Sequence, residues 1–336
     1  MTLVASVLSG DRLALARLLT QVENTTPEGR AALDDLFPHT GKAHLIGVTG
    51  APGTGKSTLV NQIALHYRKQ TNPPKRVAIV AVDPSSPFTG GAILGDRVRM
   101  RDLAGDPDVF IRSMASRGSL GGLAHATVAA VQVFDAAGFD VILIETVGTG
   151  QGEVDIARLA HTTLVVEVPG LGDDIQAIKA GILEVADIIV VNKADRSGVE
   201  NAERALRGML ELVHPLQRVF RHHGRNEEVP THPTKTEALP WLAPILRTVA
   251  LEAIGISELV EAIKCHAEYL HQSGEWNLRE CIRLQSEFEM LIQETLIAQF
   301  RSTIPNSKYE EVLGRLLTHN LSPRGAAKML LNGRQV

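Results

Sequence analysis

The sequence predicts an α/β chain: a central, mainly parallel sheet with helices on both faces, further helices ahead of it and a helical extension behind. Three observations carry this expectation. Short continuous apolar runs recur at 77–82, 141–144 and 188–191, as expected of strands buried on both faces. Segments with apolar residues at helical spacing lie between them, and that alternation implies parallel strands. Several runs end at an acid or a glycine-rich turn, and such sheets bind ligands at the carboxyl ends of their strands.

Composition bounds the reading. The chain has 336 residues, 44% apolar and 21% charged, which suits one large domain with appendages or two domains. A formal charge of -4 and 4% aromatic residues give no footprint for nucleic acid. No apolar run is long enough to span a bilayer, so no membrane is expected as a partner. The two cysteines, Cys265 and Cys281, lack metal-pair spacing and read as free thiols of a reducing compartment. A cytoplasmic protein is the expectation.

Residues 1–41 read as helices. Leu15, Leu18, Leu19 and Val22 form one apolar face, Asp11 suits a helix cap, and Pro38 and Gly41 close the segment. A first strand, 45–49, leads into Gly50-Ala51-Pro52-Gly53-Thr54-Gly55-Lys56-Ser57, and a helix opens at Thr58. This fits G-x-x-x-x-G-K-[ST], the phosphate-binding P-loop, in the strand–loop–helix context it requires. The glycines let backbone N–H groups turn toward phosphate oxygens, and the helix N-terminus adds positive partial charge. Lys56 can reach the β- and γ-phosphates, and the Ser57 hydroxyl can ligate Mg²⁺.

The second strand, 77–82, ends at Asp83, which topology places near the phosphates. The Gly-, Pro- and Ser-rich loop that follows runs to Asp96; it is either a nucleotide-sensing switch or a solvated loop. The cluster from Arg117 to Gly122 precedes a helix ending near Ala137, and tight helix entry explains it as well as any function. The third strand, 141–144, ends at Glu145 before Gly148, which suits a second Mg²⁺ contact better than an isolated buried acid. A fourth strand, 163–168, feeds a glycine-rich loop in which Asp173 and Asp174 either act or merely cap a helix.

The fifth strand, 188–191, delivers Asn192-Lys193-Ala194-Asp195. In this N-K-x-D pattern the aspartate can accept two hydrogen bonds from guanine that adenine cannot donate. The lysine stem can cover the base, and asparagine can meet its other edge. A sixth strand, 244–249, brings the backbone of Val249, Ala250 and Leu251 toward the far side of the base. The histidines of 221–237 (His222, His223, His232) are irregularly spaced and read as a solvated loop rather than a metal site. A helix over 255–271 and more helices from 277, with breaks near 302–307 and 320–323, complete the chain. This tail holds no catalytic constellation and is either a domain cover or an oligomer interface.

Together these motifs resemble the MeaB/ArgK GTPases, whose human relative is the methylmalonic aciduria type A protein. The resemblance rests on 47–57, Val82-Asp83-Pro84-Ser85-Ser86-Pro87, the 90–97 stretch, Arg117 to Gly122, Glu145-Thr146-Val147-Gly148, Gly172-Asp173-Asp174-Ile175-Gln176 and the N-K-A-D segment. It implies a P-loop NTPase fold with a SIMIBI-type G domain over 42–272, N-terminal helices over 1–41 and a dimerisation extension over 273–336. It implies binding of GTP and GDP, slow Mg²⁺-dependent hydrolysis, and a homodimer. Asp83, Asp96 and Glu145, with Ser57, would surround the metal and its waters, and Lys56 would lie on the phosphates. Asp173, Asp174, Gln176 and Lys179 would form a switch that senses a partner. That partner would be an adenosylcobalamin-dependent acyl-CoA mutase, with a cobalamin adenosyltransferase as a further candidate, and the chain would gate cofactor loading and protect the mutase. A nickel-type metallochaperone GTPase and a small-molecule kinase are the competing readings. Val249 departs from the serine common at its position, and the 221–237 insertion is longer than usual.

Overall fold

The computed structural model describes residues 2–84, 100–103, 105–116, 125–146, 152–170, 180–212, 221–222, 225–226 and 240–332. Asp96, the Arg117–Gly122 cluster, Gly148 and the 171–179 loop lie outside these residues, as does most of the 221–237 insertion. Of Asp83 only the backbone is described.

Three helices open the chain: α1 (Leu3–Leu8), α2 (Arg12–Glu23) and α3 (Pro27–Leu36). Asp11 caps α2 by accepting from Leu13 N–H and Ala14 N–H. Thr26 caps α3, where Pro27 occupies a first-turn position that needs no donor. Then follow β1 (His44–Thr49), α4 (Lys56–Lys69), β2 (Val77–Pro84), β3 (Val109–Ser116), α5 (His125–Ala136), β4 (Val141–Thr146), α6 (Gly152–Leu159) and β5 (Thr162–Glu167). Next come α7 (Ala180–Leu183), β6 (Ile188–Asn192), α8 (Val199–Leu212), the two-residue strands β7 (Arg221–His222) and β8 (Arg225–Asn226), β9 (Ile245–Thr248) and α9 (Ile256–Ser273). The chain ends with α10 (Glu275–Thr303), α11 (Asn306–Leu317) and α12 (Pro323–Asn332).

Seven strands form the main sheet in the order β3-β2-β4-β1-β5-β6-β9, and every pairing is parallel. Side chains alternate across it. Leu45, Val80 and Ile142 pack beneath α2, α3 and α5 on one face, while Ile46, Ile79 and Leu143 pack against α4 and α9 on the other. A third apolar cluster seats α7 and α8 on Val165, Ile189 and Val191. Leu15, Leu18, Leu19 and Val22 are all buried, so α2 presents the face its periodicity predicts.

One strand of the main sheet escapes the sequence reading, as do the two-residue β7 and β8 in the segment read as a loop. β3 occupies the sheet edge and pairs with β2 alone. Arg112 and Ser113 interrupt its apolar run, which an edge strand tolerates. Arg112 pairs with Glu23 of α2, so the charge that hides the strand ties it to the N-terminal helices.

Packing divides the chain into two compact units, Met1–Cys281 and Ile282–Val336. Residues 1–41 share the core of the first unit. The first turns of α10 also belong there, because Trp276 stacks on His161 and Arg279 pairs with Asp187. In the second unit α11 packs on α12 with Val312 and Ala326 buried. Along α10 the side chains of Phe288, Leu291, Ile292, Leu296 and Ile297 are exposed.

Candidate nucleotide site

The parallel register brings the ends of β1, β4, β6 and β9 to one edge of the sheet. The P-loop leaves β1 there. Gly50 has φ +136°, and a Cβ at that position would lie 2.2 Å from the Val166 carbonyl oxygen, so only glycine fits. Gly55 has φ +91° and starts α4 from the left-handed region. A Cβ on it would lie 2.5 Å from Asn192 Nδ2, so this glycine also makes room for the N-K-x-D segment.

Lys56 opens α4 and is 6% exposed. Its ammonium donates to the carbonyls of Gly50 (2.8 Å) and Ala51 (2.9 Å), which folds the side chain back over the loop. Thr54, fully buried, closes the turn through its hydroxyl to the Ala51 carbonyl. Pro52 and Gly53 are exposed at the loop's tip, and Thr58 is half-buried behind it. The Ser57 hydroxyl donates to Glu145 Oε1 over 2.6 Å. Glu145, at the end of β4, is 6% exposed, so a hydroxyl and a carboxylate converge where β1 and β4 run side by side. Both are hard oxygen donors, the ligand type Mg²⁺ prefers.

Asn192 ties three loops together. Its Nδ2 donates to the Thr54 carbonyl at 2.8 Å, and its Oδ1 accepts from the Thr248 hydroxyl and Ala250 N–H, both at 3.1 Å. Lys193, in the left-handed region at φ +56°, donates from Nζ to the Gly53 carbonyl at 2.7 Å. Ala194 N–H bonds the Thr248 carbonyl. Asp195 follows on the exposed side. Val249 and Ile254 close a small antiparallel bridge, with Ala250 buried and Leu251 exposed. The structure thus brings the P-loop, Ser57–Glu145, the N-K-A-D segment and 248–250 to one edge.

Sequence reasoning missed Thr248, whose buried hydroxyl orients the Asn192 amide. A lone threonine at a strand end carries no signal of its own.

This combination of P-loop and N-K-x-D at the ends of β1 and β6, two parallel strands of one sheet, agrees with the comparisons. The family model described as methylmalonyl-CoA mutase-associated GTPase MeaB matches residues 15–304. The chain belongs to the MeaB family of GTPases. A Pyrococcus abyssi relative is 43% identical over 329 residues, covering 98% of this chain and 95% of the relative. GTPase ArgK of Escherichia coli is 35% identical, with 96% and 92% covered. The mouse mitochondrial methylmalonic aciduria type A homolog is 31% identical, with 98% and 78% covered. A crystal structure described as an LAO/AO transport system kinase superposes with a TM-score of 0.65 at 28% identity, over 99% of this chain and 97% of that one. As a MeaB-family protein the chain is a GTP-hydrolysing enzyme that binds guanine nucleotides. No helix among its described residues is long and apolar enough to cross a membrane.

Proposed function

We propose that this MeaB-family GTPase gates the loading of adenosylcobalamin into an acyl-CoA mutase, methylmalonyl-CoA mutase or a near relative, and protects that mutase afterwards. The observation that carries the reading is the joining of the N-K-A-D segment to the P-loop through Asn192 and Thr54, in a chain matched nearly end to end by a mutase-associated GTPase model. A guanine nucleotide bound there contacts two loops that are already one unit.

The residue roles in this reading are those the sequence motifs suggest. The P-loop backbone from Gly50 to Thr58 cradles the phosphates. Lys56 turns from the Gly50 and Ala51 carbonyls to phosphate oxygens, a charge-assisted contact. Asp195 reads the guanine N–H and amino groups, Lys193 covers the base, and the 249–251 backbone closes the far side. Ser57 and Glu145 fit a magnesium ion, with Asp83 and Asp96 completing its surroundings; bound there, Mg²⁺ neutralises phosphate charge. The loop holding Asp173, Asp174, Gln176 and Lys179 serves as the partner-sensing switch. The exposed apolar side of α10 is assigned to a homodimer, and a cobalamin adenosyltransferase is assigned as a second partner.

The proposal is tested by loading a purified mutase with adenosylcobalamin in the presence of this protein with GTP, GDP or a non-hydrolysable GTP analogue. Cofactor transfer should depend on which nucleotide is bound. Equal loading in all three states would reject the gating role.

A further inference from the structure

β1 and β4 run side by side until their register ends at Val48↔Glu145. One residue further on the two backbones part. Thr49 pairs with Val165 of β5, and Thr146 pairs with Val82 of β2. The sheet therefore forks where β1 gives way to the P-loop and β4 has just delivered Glu145.

Two side-chain hydrogen bonds tie the P-loop side of this fork to the β4 side, one on each face of the sheet. On the α4 face the Ser57 hydroxyl donates to Glu145 at 2.6 Å. On the other face the Thr146 hydroxyl donates to the Thr49 hydroxyl at 3.1 Å. Alternation along the strands fixes the faces. Gly47, two residues before Thr49, lies so close to α6 that a Cβ on it would meet Ile156 at 2.8 Å. Ile144, two residues before Thr146, belongs to the same apolar cluster as Ile156. Thr49 is 0% exposed and Thr146 5%. Buried hydroxyls need partners, and these two serve each other.

We propose, on the reading of Ser57 and Glu145 as the magnesium pair, that the Thr146–Thr49 bond is a brace that sets their separation, and that both threonines are positioning residues for magnesium-dependent nucleotide binding. The Ser57–Glu145 bond cannot hold this spacing by itself, because it joins the two groups that are to share the cation. The threonine bond involves neither group and lies on the far face, so neither nucleotide nor metal competes for its donor or its acceptor. Thr146 adjoins Glu145, and Thr49 adjoins Gly50, so the brace acts across a single peptide at each end. Gly50 is pressed against the Val166 carbonyl of β5. Without the brace the P-loop side of the fork stays with β5, and the Glu145 side follows β2.

A brace can be told from ordinary packing. Removing one hydroxyl strands the other in the interior and destabilises the fold directly, whereas replacing both by valine, nearly the same shape, leaves no orphan. Thr49→Val/Thr146→Val should therefore keep its stability and lose the positioning.

The test is binding of a fluorescent, non-hydrolysable GTP analogue to the full chain, titrated with Mg²⁺ and repeated in EDTA, with thermal unfolding alongside. In the double variant the Mg²⁺ concentration that gives half of the full gain in affinity should rise about tenfold. Binding in EDTA should change by less than about twofold, and the melting temperature should stay within about 2 °C of the wild type. Thr146→Ser, which keeps the donor, should restore the wild-type Mg²⁺ curve. A double variant whose Mg²⁺ curve superimposes on the wild type overturns the brace. So does an equal loss of affinity with and without Mg²⁺, which marks general damage to the P-loop, or a Thr146→Ser curve as displaced as that of the double variant. Should the double variant not fold, Thr146→Val against Thr146→Ser carries the same outcomes. Glu145→Gln separates this claim from the reading beneath it. If that variant raises the Mg²⁺ requirement and the valine pair does not, the brace alone fails; if neither raises it, the metal reading fails and the brace with it.

Discussion

The side-chain amide of Asn192 donates to the Thr54 carbonyl across 2.8 Å, so the P-loop and the N-K-A-D segment share a buried hydrogen bond although 138 residues separate them in sequence. Asn192→Ala therefore loosens two loops at once. It leaves the Thr54 carbonyl and the Thr248 hydroxyl without this partner, at about 1–3 kcal/mol for each buried group left unpaired. Thermal unfolding and GTP titration should both register the loss. An unchanged melting temperature with unchanged GTP affinity would show that the strut contributes nothing.

Asp195 is the proposed discriminator of the base. Asp195→Asn should weaken GTP and favour xanthosine nucleotides, because the amide offers a donor to the xanthine carbonyl. A nucleotide panel on both proteins checks it. Equal turnover of ATP and GTP by the wild type would remove Asp195 from recognition.

Lys56→Ala should leave the fold intact and lower turnover by about 30- to 900-fold, the equivalent of ~2–4 kcal/mol of transition-state stabilisation. Circular dichroism confirms the fold and single-turnover kinetics gives the rate. Wild-type turnover would contradict the assignment.

Ser57 and Glu145 meet at 2.6 Å and are proposed to face the metal. Ser57→Ala or Glu145→Gln should raise the Mg²⁺ concentration needed for half-maximal hydrolysis by about tenfold or more. Magnesium titration at saturating GTP measures this. Superimposable titration curves would place the metal elsewhere.

Much of this was legible in the sequence, for physical reasons that differ by element. The P-loop and N-K-A-D are local patterns whose glycines and strand context are written side by side. The face of α2 follows from helical spacing alone. β3 was not legible, because Arg112 and Ser113 suit an edge and a tie to Glu23, which only the sheet order reveals. Nor was the root of α10, since Trp276 and Arg279 acquire meaning from His161 and Asp187, far away in sequence. The bond between Asn192 and Thr54 is of the same kind.

The exposed apolar side chains of α10 include Phe288 (63% exposed) and Leu296 (59%). If they hold the proposed homodimer, Phe288→Glu with Leu296→Glu should give a folded monomer by light scattering, with little loss of monomer stability. A dimer that persists unchanged would move the interface to another surface.

The central claim is that a cobalamin-dependent mutase completes an otherwise slow GTPase. In the sequence Gln151 comes three residues after Gly148, a different spacing from that of the water-positioning glutamine of Ras-like enzymes, and the arginines that follow the first switch loop are Arg97 and Arg99. A partner that prefers one nucleotide state must shift GTP affinity as GTP shifts partner affinity. The direct measurement is GTP turnover with and without purified mutase, repeated with Gln176→Ala and Lys179→Ala. The account predicts slow intrinsic hydrolysis, acceleration by the mutase, and reduced acceleration in one or both variants. Fast hydrolysis by the isolated protein, indifferent to any mutase, would contradict it.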